Sequence, residues 1–182
     1  MTPSVPHPFD LLSALEKKAL EHTCVFPEKE SVKAYWSGVK FRLNDQQFVM
    51  DSREITEVLP VPEVTPLPDV HSWVKGLANV RGRILPMIDL GGFLGRNEPL
   101  PSIRNRVIVV DQRNISLGLI VDEVQGMKQF SVASDEQDIP ENLALAVRPF
   151  INGCYYKEVH HMVFSTDLLV KNQRFLKAAK GV

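Results

Sequence analysis

The chain has 182 residues, 44% of them apolar, and its 21 basic and 22 acidic side chains leave a net charge of −1. That composition describes an ordinary soluble globular protein of one domain, or of two small ones sharing a core. It lacks the single-sign field that a nucleic acid or an anionic membrane surface requires.

No apolar run approaches the ~18 residues of a membrane helix, and no basic n-region precedes an apolar core at the N-terminus. Cys24 and Cys154 are too few and too far apart for a disulfide framework, so a reducing, cytoplasmic setting is expected.

The first 35 residues read as an extension. Phe9, Leu12, Leu15 and Ala19 recur at helical spacing, with Leu11 and Leu20 widening the stripe. Such a helix either packs on the body of the protein or docks a partner. Cys24–Ser31, containing Pro27, reads as a linker. From Trp36 the period becomes two: Val39, Phe41 and Leu43 alternate with Lys40, Arg42 and Asn44, as in a half-buried strand. Asn44-Asp45 makes a turn, and Phe48-Val49-Met50 begins the return strand. Ser52–Leu59 is extended, with Ile55 and Glu57 expected on one side. Pro60, Pro62, Pro66 and Pro68 form a crossing too poor in donors for a central strand.

Trp73–Asn79 and Arg83–Ile88 are two apolar arms around Arg81-Gly82. Glycine at the second turn position tolerates positive φ, so the arms fold back as a hairpin. Pro86 lacks an N–H, which predicts an edge strand or a bulge there. Leu90–Leu94 reads as one helical turn closed by Gly95.

The second half repeats the plan. Val107–Val110 is a strand, Asp111–Asn114 a turn and Ile115–Val121 a strand with alternate residues on one face. The Val121–Val124 stretch echoes Ser52–Ile55, and His161–Phe164 before Ser165–Leu168 echoes the end of the hairpin before Asp89-Leu90. Strand, turn, strand, acidic elbow, strand, twice over, predicts a mainly β protein of two small β-barrels in tandem, about 36–100 and 101–165. A helix over about 166–179 closes the chain. Ser165 or Thr166 caps it, Asp167 opens it, and Lys171, Arg174, Lys177 and Lys180 suit its dipole. Leu168, Leu169, Phe175 and Leu176 are its expected core stripe.

Catalytic chemistry is missing. His160 and His161 are strand neighbours and point to opposite faces, so they cannot jointly chelate one ion. Cys24 and Cys154 have no histidine at motif spacing. Gly91-Gly92 and Gly95 fit neither a phosphate loop nor a dinucleotide fingerprint. Asp135, Glu136, Asp138 and Glu141 lack the spacing of a calcium loop. No catalytic residue, metal site or cofactor is expected. A small ligand-binding or enzymatic barrel would need an enclosed polar pocket, and an oligonucleotide-binding barrel a basic face with spaced aromatics.

The segment GLANVRGRILPMIDL, Gly76–Leu90, resembles the signature hairpin of the CheW-like family of chemosensory adaptors. It combines an Arg-Gly turn, a proline and an Asp-Leu exit at fixed offsets. The resemblance extends over most of Trp36–Val170, through DSREITEVL, LPDVHSWVKG, SLGLIVDEVQGM and HHMVFSTDLL. It implies two packed five-stranded β-barrels and no catalytic activity. It also implies a cytoplasmic bridge, recruited to membrane-bound receptor complexes. That bridge joins the tip of a methyl-accepting chemoreceptor to the regulatory domain of a CheA-type histidine kinase. FDLLSALEKKALEH before WSGVKFRL is similar to the branch serving type IV pilus twitching motility, the flagellar chemotaxis coupling proteins being the alternative.

Carried over by position, the resemblance pairs Glu57 with Arg81 and maps a receptor groove between the barrels onto Ile55, Gly76, Gly118 and Met127 with that pair. Glycines there would let a receptor helix approach the backbone, while Ile55 and Met127 would offer apolar contact. If partly buried, the pair would fix both strands through a bidentate bond; removing one partner of a buried pair costs on the order of 3–5 kcal/mol. Arg106 stands where family members often carry an aliphatic residue. Kinase-contacting residues are not assigned.

Overall fold

The computed structural model describes residues 8–21, 35–44, 46–96, 102–112, 115–132, 135–141 and 143–178. The chain separates into two units, Met1–Lys33 and Ala34–Val182. The described part of the first is one helix, α1 (Pro8–Glu21). The linker expected at Cys24–Ser31 lies outside the described residues.

The second unit is built from two sheets. Its strands are β1 (Tyr35–Leu43), β2 (Gln46–Asp51), β3 (Ile55–Pro60), β4 (Val74–Val80), β5 (Arg83–Asp89), β6 (Arg106–Gln112), β7 (Ile115–Val121), β8 (Glu123–Ser131), β9 (Glu136–Gln137), β10 (Ile151–Lys157) and β11 (Val159–Phe164). The larger sheet runs β8-β1-β2-β11-β10-β9 and the smaller β3-β6-β7-β5-β4. The two halves of the chain are therefore interleaved rather than set in tandem. β1 and β2 complete a sheet with strands from the second half, while β6 and β7 complete one with strands from the first. The repeat read from the sequence is real in its strand plan. β2 leads through a 3-10 turn at Ser52–Glu54 into the other sheet, and β7 does the same through Asp122. The two acidic elbows are the points where the chain changes sheet. That exchange is why no cut near residue 100 separates two barrels.

The sheets are open, yet the smaller one is strongly curled. Laid flat, five strands would hold β3 and β4 roughly 19 Å apart. Instead Thr65, in the proline-rich crossing that follows β3, exchanges two backbone hydrogen bonds of 2.8 and 2.9 Å with Leu77 of β4. Alternation along the strands sorts the core into three. Leu85, Met87, Val107, Val109 and Ile120 fill the inside of the smaller curl. Val49, Phe130 and Tyr155 fill that of the larger. Phe41, Phe48, Met50, Ile88, Ile108, Val110, Leu119 and Phe164 belong to the main core, to which both sheets contribute. Complete burial of each such side chain stabilises by about 1.5–3 kcal/mol.

The hairpin turn has φ of 51° at Arg81 and 83° at Gly82, the primed geometry that matches strand twist. Asn79 Oδ1 accepts from the Gly82 N–H at 2.8 Å and holds the turn from below. Pro86 sits in an interior strand, contrary to the edge or bulge expected for it. Parallel pairing of β5 with β7 starts only at Met87, so the missing N–H interrupts no ladder bond there. The closing helix is also split, into α3 (Thr166–Lys171) and α4 (Gln173–Leu176). Asn172 is extended (ψ 126°) and caps the second piece with its own side chain. Leu168 and Leu176 face outward, while Leu169 and Phe175 stay buried. Ser165 is the cap of α3, accepting from Leu168 N–H.

Candidate partner-binding site

Arg81 Nε lies 2.8 Å from Glu57 Oε2. The contact spans the sheet, since Glu57 is on the edge strand β3 and Arg81 at the tip of the hairpin that forms the opposite edge. It is a surface clamp on the curl. The Arg81 side chain is 82% exposed and that of Glu57 20%. The pairing expected from the sequence exists, but as a single Nε contact in solvent, worth about 0–1 kcal/mol rather than the cost of a buried pair.

Ile55 and Glu57 do not share a side, although two residues apart. A bulge between them shifts the register, so that Ile55 pairs with Val110 and Glu57 with Val109. Ile55 consequently joins the main core, while Glu57 faces the mouth of the smaller curl.

The two groove glycines are covered by the chain itself. A Cβ on Gly76, where φ is +136°, would meet Thr65 O at 2.0 Å. That glycine exists so that the proline-rich crossing can lie against β4. A Cβ on Gly118 would meet Met87 Sδ at 2.6 Å and Val107 Cγ1 at 2.8 Å, inside the smaller curl. Neither presents bare backbone to a partner helix. Met127, by contrast, is 68% exposed on the edge strand β8 of the larger sheet, where a bulge at Gly126 (φ 94°) precedes it. Arg106 folds back on its own loop, its Nη1 donating to the carbonyls of Ile103 and Asn105 at 2.8 Å each.

Sequence reading missed an elaborate polar arrangement around Arg96. Arg96, 11% exposed, donates from Nη1 to Asp122 Oδ1 at 2.6 Å and from Nη2 to Asp89 Oδ1 at 2.9 Å. Asp89 caps α2 (Leu90–Phe93) through the Gly92 N–H, and Lys75 Nζ approaches its other oxygen at 3.5 Å. Asp122 also accepts from the Asn44 N–H, in the β1–β2 turn, at 2.6 Å. The guanidinium lies where a Cβ of Gly91 would be, 2.5 Å from that position. Gly91 was the available signal: it lies within α2 and leaves room for an arginine to seat against the helix.

His161 is fully buried in β11 and neither ring nitrogen makes a hydrogen bond, whereas His160 faces out. Burial, reinforced by Lys40 and Lys128, pushes its pKa down to about 4; the Lys157 backbone and Glu158 act in the opposite sense without offsetting this. Cys154 is buried and its thiol pKa is raised by that burial; Cys24 lies outside the described residues. Among the described residues no group of three or more His, Cys, Asp or Glu is placed to hold a metal ion, and no helix is long and apolar enough to cross a membrane.

Two curled sheets that exchange strands, with an Arg-Gly hairpin clamped to the far edge, define a recognised class. The CheW-like domain family matches residues 37–170, and the chain belongs to that family. Along its length it is 42% identical to Protein PilI of Pseudomonas aeruginosa over 176 residues, which span 96% of this chain and 98% of that protein. Chemotaxis protein CheW of Rhizobium meliloti is 30% identical over 63% of this chain and 74% of its own. The crystal structure of the scaffolding protein TtCheW from Thermoanaerobacter tengcongensis superposes with a TM-score of 0.66, covering 75% of this chain and 93% of that one. At 24% identity this last likeness speaks for the fold alone.

Proposed function

We propose that this chain is a non-catalytic chemosensory adaptor. It couples the cytoplasmic tip of a methyl-accepting chemoreceptor to the regulatory domain of a CheA-type histidine kinase, in the control of type IV pilus twitching motility. The observation that carries the reading is the similarity to PilI. It covers 96% of the chain, so it reaches beyond the 37–170 domain that the family shares. The structure supports it by what it offers to a partner: an exposed arginine on a clamped tip, and an exposed methionine on an edge strand. Glu57, Arg81 and Met127 are the residues we assign to receptor contact. Ile55, Gly76 and Gly118 shape that surface from beneath. The protein works in the cytoplasm, held at the membrane only through its receptor.

The test is a titration of the purified full chain with a receptor tip fragment and, separately, with a kinase regulatory domain. Saturable binding to both, without mutual competition, is expected. A chain that binds neither, or at which the two compete for one surface, ends the reading.

A further inference from the structure

The two sheets are joined by a main core that is almost wholly apolar, and apolar packing supplies energy without direction. Interdigitation of the side chains nevertheless sets much of the fit between the sheets, and two polar ties add a directional constraint: Glu54 with Thr166, and Arg96 with Asp89 and Asp122. We propose that Arg96 is a positioning residue of the adaptor. Its guanidinium fixes the relative orientation of the two sheets, and so the geometry in which two partners are held together. This rests on the adaptor reading above.

The placement of the network carries the argument. Asp89 belongs to the smaller sheet and ends its signature hairpin; Asp122 stands where the chain leaves that sheet for the larger one. The planar fork of Arg96 ties one to the other, at 2.9 and 2.6 Å. Two charge-assisted bonds from one rigid fork to two different carboxylates specify direction as well as distance, which an ammonium group cannot do. Asp122 then passes the constraint into the larger sheet. Its carboxylate takes the Asn44 N–H at 2.6 Å, and its own N–H donates to Arg42 O of β1 at 3.2 Å. Gly91 completes the seat, since any side chain there would displace the guanidinium. Arg96 lies in neither the Glu57–Arg81 clamp nor the exposed strand bearing Met127, so its influence on binding runs through the angle between the sheets.

Two variants test this. Arg96→Lys keeps the charge and loses the fork. The triple variant Asp89→Asn, Arg96→Met, Asp122→Asn removes all three buried charges together, which cores usually tolerate better than removal of one partner. Each partner's affinity measured alone should stay close to wild type in both. The change in kinase-domain affinity when the receptor tip is already bound should fall by about tenfold, within the usual range of coupling between sites. Spin labels at Thr56 on β3 and Gln129 on β8, both exposed, should give a broader distance distribution in the variants than in the wild type. An unchanged distribution with unchanged coupling would overturn the proposal. So would a triple variant that cannot fold, because the network would then hold the fold rather than the angle. A wild type that binds neither partner while its label distances still respond to Arg96 would leave the geometry standing and remove the adaptor reading instead.

Discussion

Replacing Arg81 by alanine should separate binding from stability. The pair it breaks joins Nε to Oε2 at 2.8 Å, with the arginine 82% exposed. Exposed pairs of this kind contribute about 0–1 kcal/mol. The Glu57 carboxylate keeps access to water once uncovered, so the penalty of about 3–5 kcal/mol for stranding a buried charge does not apply. Alanine inherits the positive φ of 51°, so no backbone strain is gained or relieved to first order. The net expectation is a loss of about 1 kcal/mol, or a Tm lowered by roughly 2–4 °C for a domain of this size. An exposed arginine at a tip is, however, the kind of residue that dominates an interface. Its truncation there costs about 2 kcal/mol or more, roughly 30-fold in affinity. Urea denaturation and receptor-tip titration of the same preparation provide the comparison. A stability loss above about 3 kcal/mol, with both partners weakened equally, would mean that the arginine only holds the curl. The charge-swapped pair Glu57→Arg, Arg81→Glu should recover part of what either single change loses.

The glycines should behave unequally. Gly76→Ala drives a Cβ into backbone, 2.0 Å from Thr65 O at a positive φ, and should cost about 4 kcal/mol or more. Gly118→Ala meets side-chain atoms that can shift and should cost about 1–3 kcal/mol; equal costs in a denaturation series would contradict the packing described. His161 should make the fold acid-sensitive in a defined window. Its folded pKa is depressed from 6.5 to about 4, so below pH 6.5 the unfolded chain takes a proton that the native ring refuses. Stability should fall by about 1.4 kcal/mol per pH unit, roughly 3 kcal/mol by pH 4, and level off below. Above pH 6.5 the group contributes nothing. His161→Phe should remove that component, so parallel stability–pH curves for wild type and variant would refute it.

Much of the strand plan was legible because the sheets bury alternate residues. Ile115–Val121 is extended over the residues expected; the first hairpin arm is shifted by one residue at both ends and the second runs one residue further, to Asp89. Two-residue periodicity reports which side of a strand is buried, and the Arg81-Gly82 turn states its own dihedral requirement. What alternation cannot show is an interruption of itself. The bulge between Ile55 and Glu57 sends two residues of apparently equal phase to different sides, and only the pairing with β6 reveals it. The closing helix failed for a similar reason: a side chain at Asn172 that caps the next turn outweighs a continuous run of helix formers.

The assembly of the repeats was illegible for a deeper reason. Tandem barrels and strand-exchanged sheets present the same succession of strands, turns and elbows, so no pattern within the sequence separates them. The difference lies in where the elbows point, and the residues at the elbows carry it. Asp122 and Glu54 stand at the two crossings, and both are anchored to the structure that follows a hairpin. Asp122 accepts from Arg96 beyond α2, and Glu54 accepts from the amide and hydroxyl of Thr166 at the start of α3. An acid at each crossing that binds a residue beside a short helix, Arg96 after α2 or Thr166 at the start of α3, holds the exchanged strand against the sheet it has joined. In the sequence these acids look like the solvated turn residues found between any two strands. Their partners lie 26 and 112 residues away, beyond any local period. The parts that join the sheets, and on which the two-partner function is proposed to depend, are therefore the parts that short-range reading finds last.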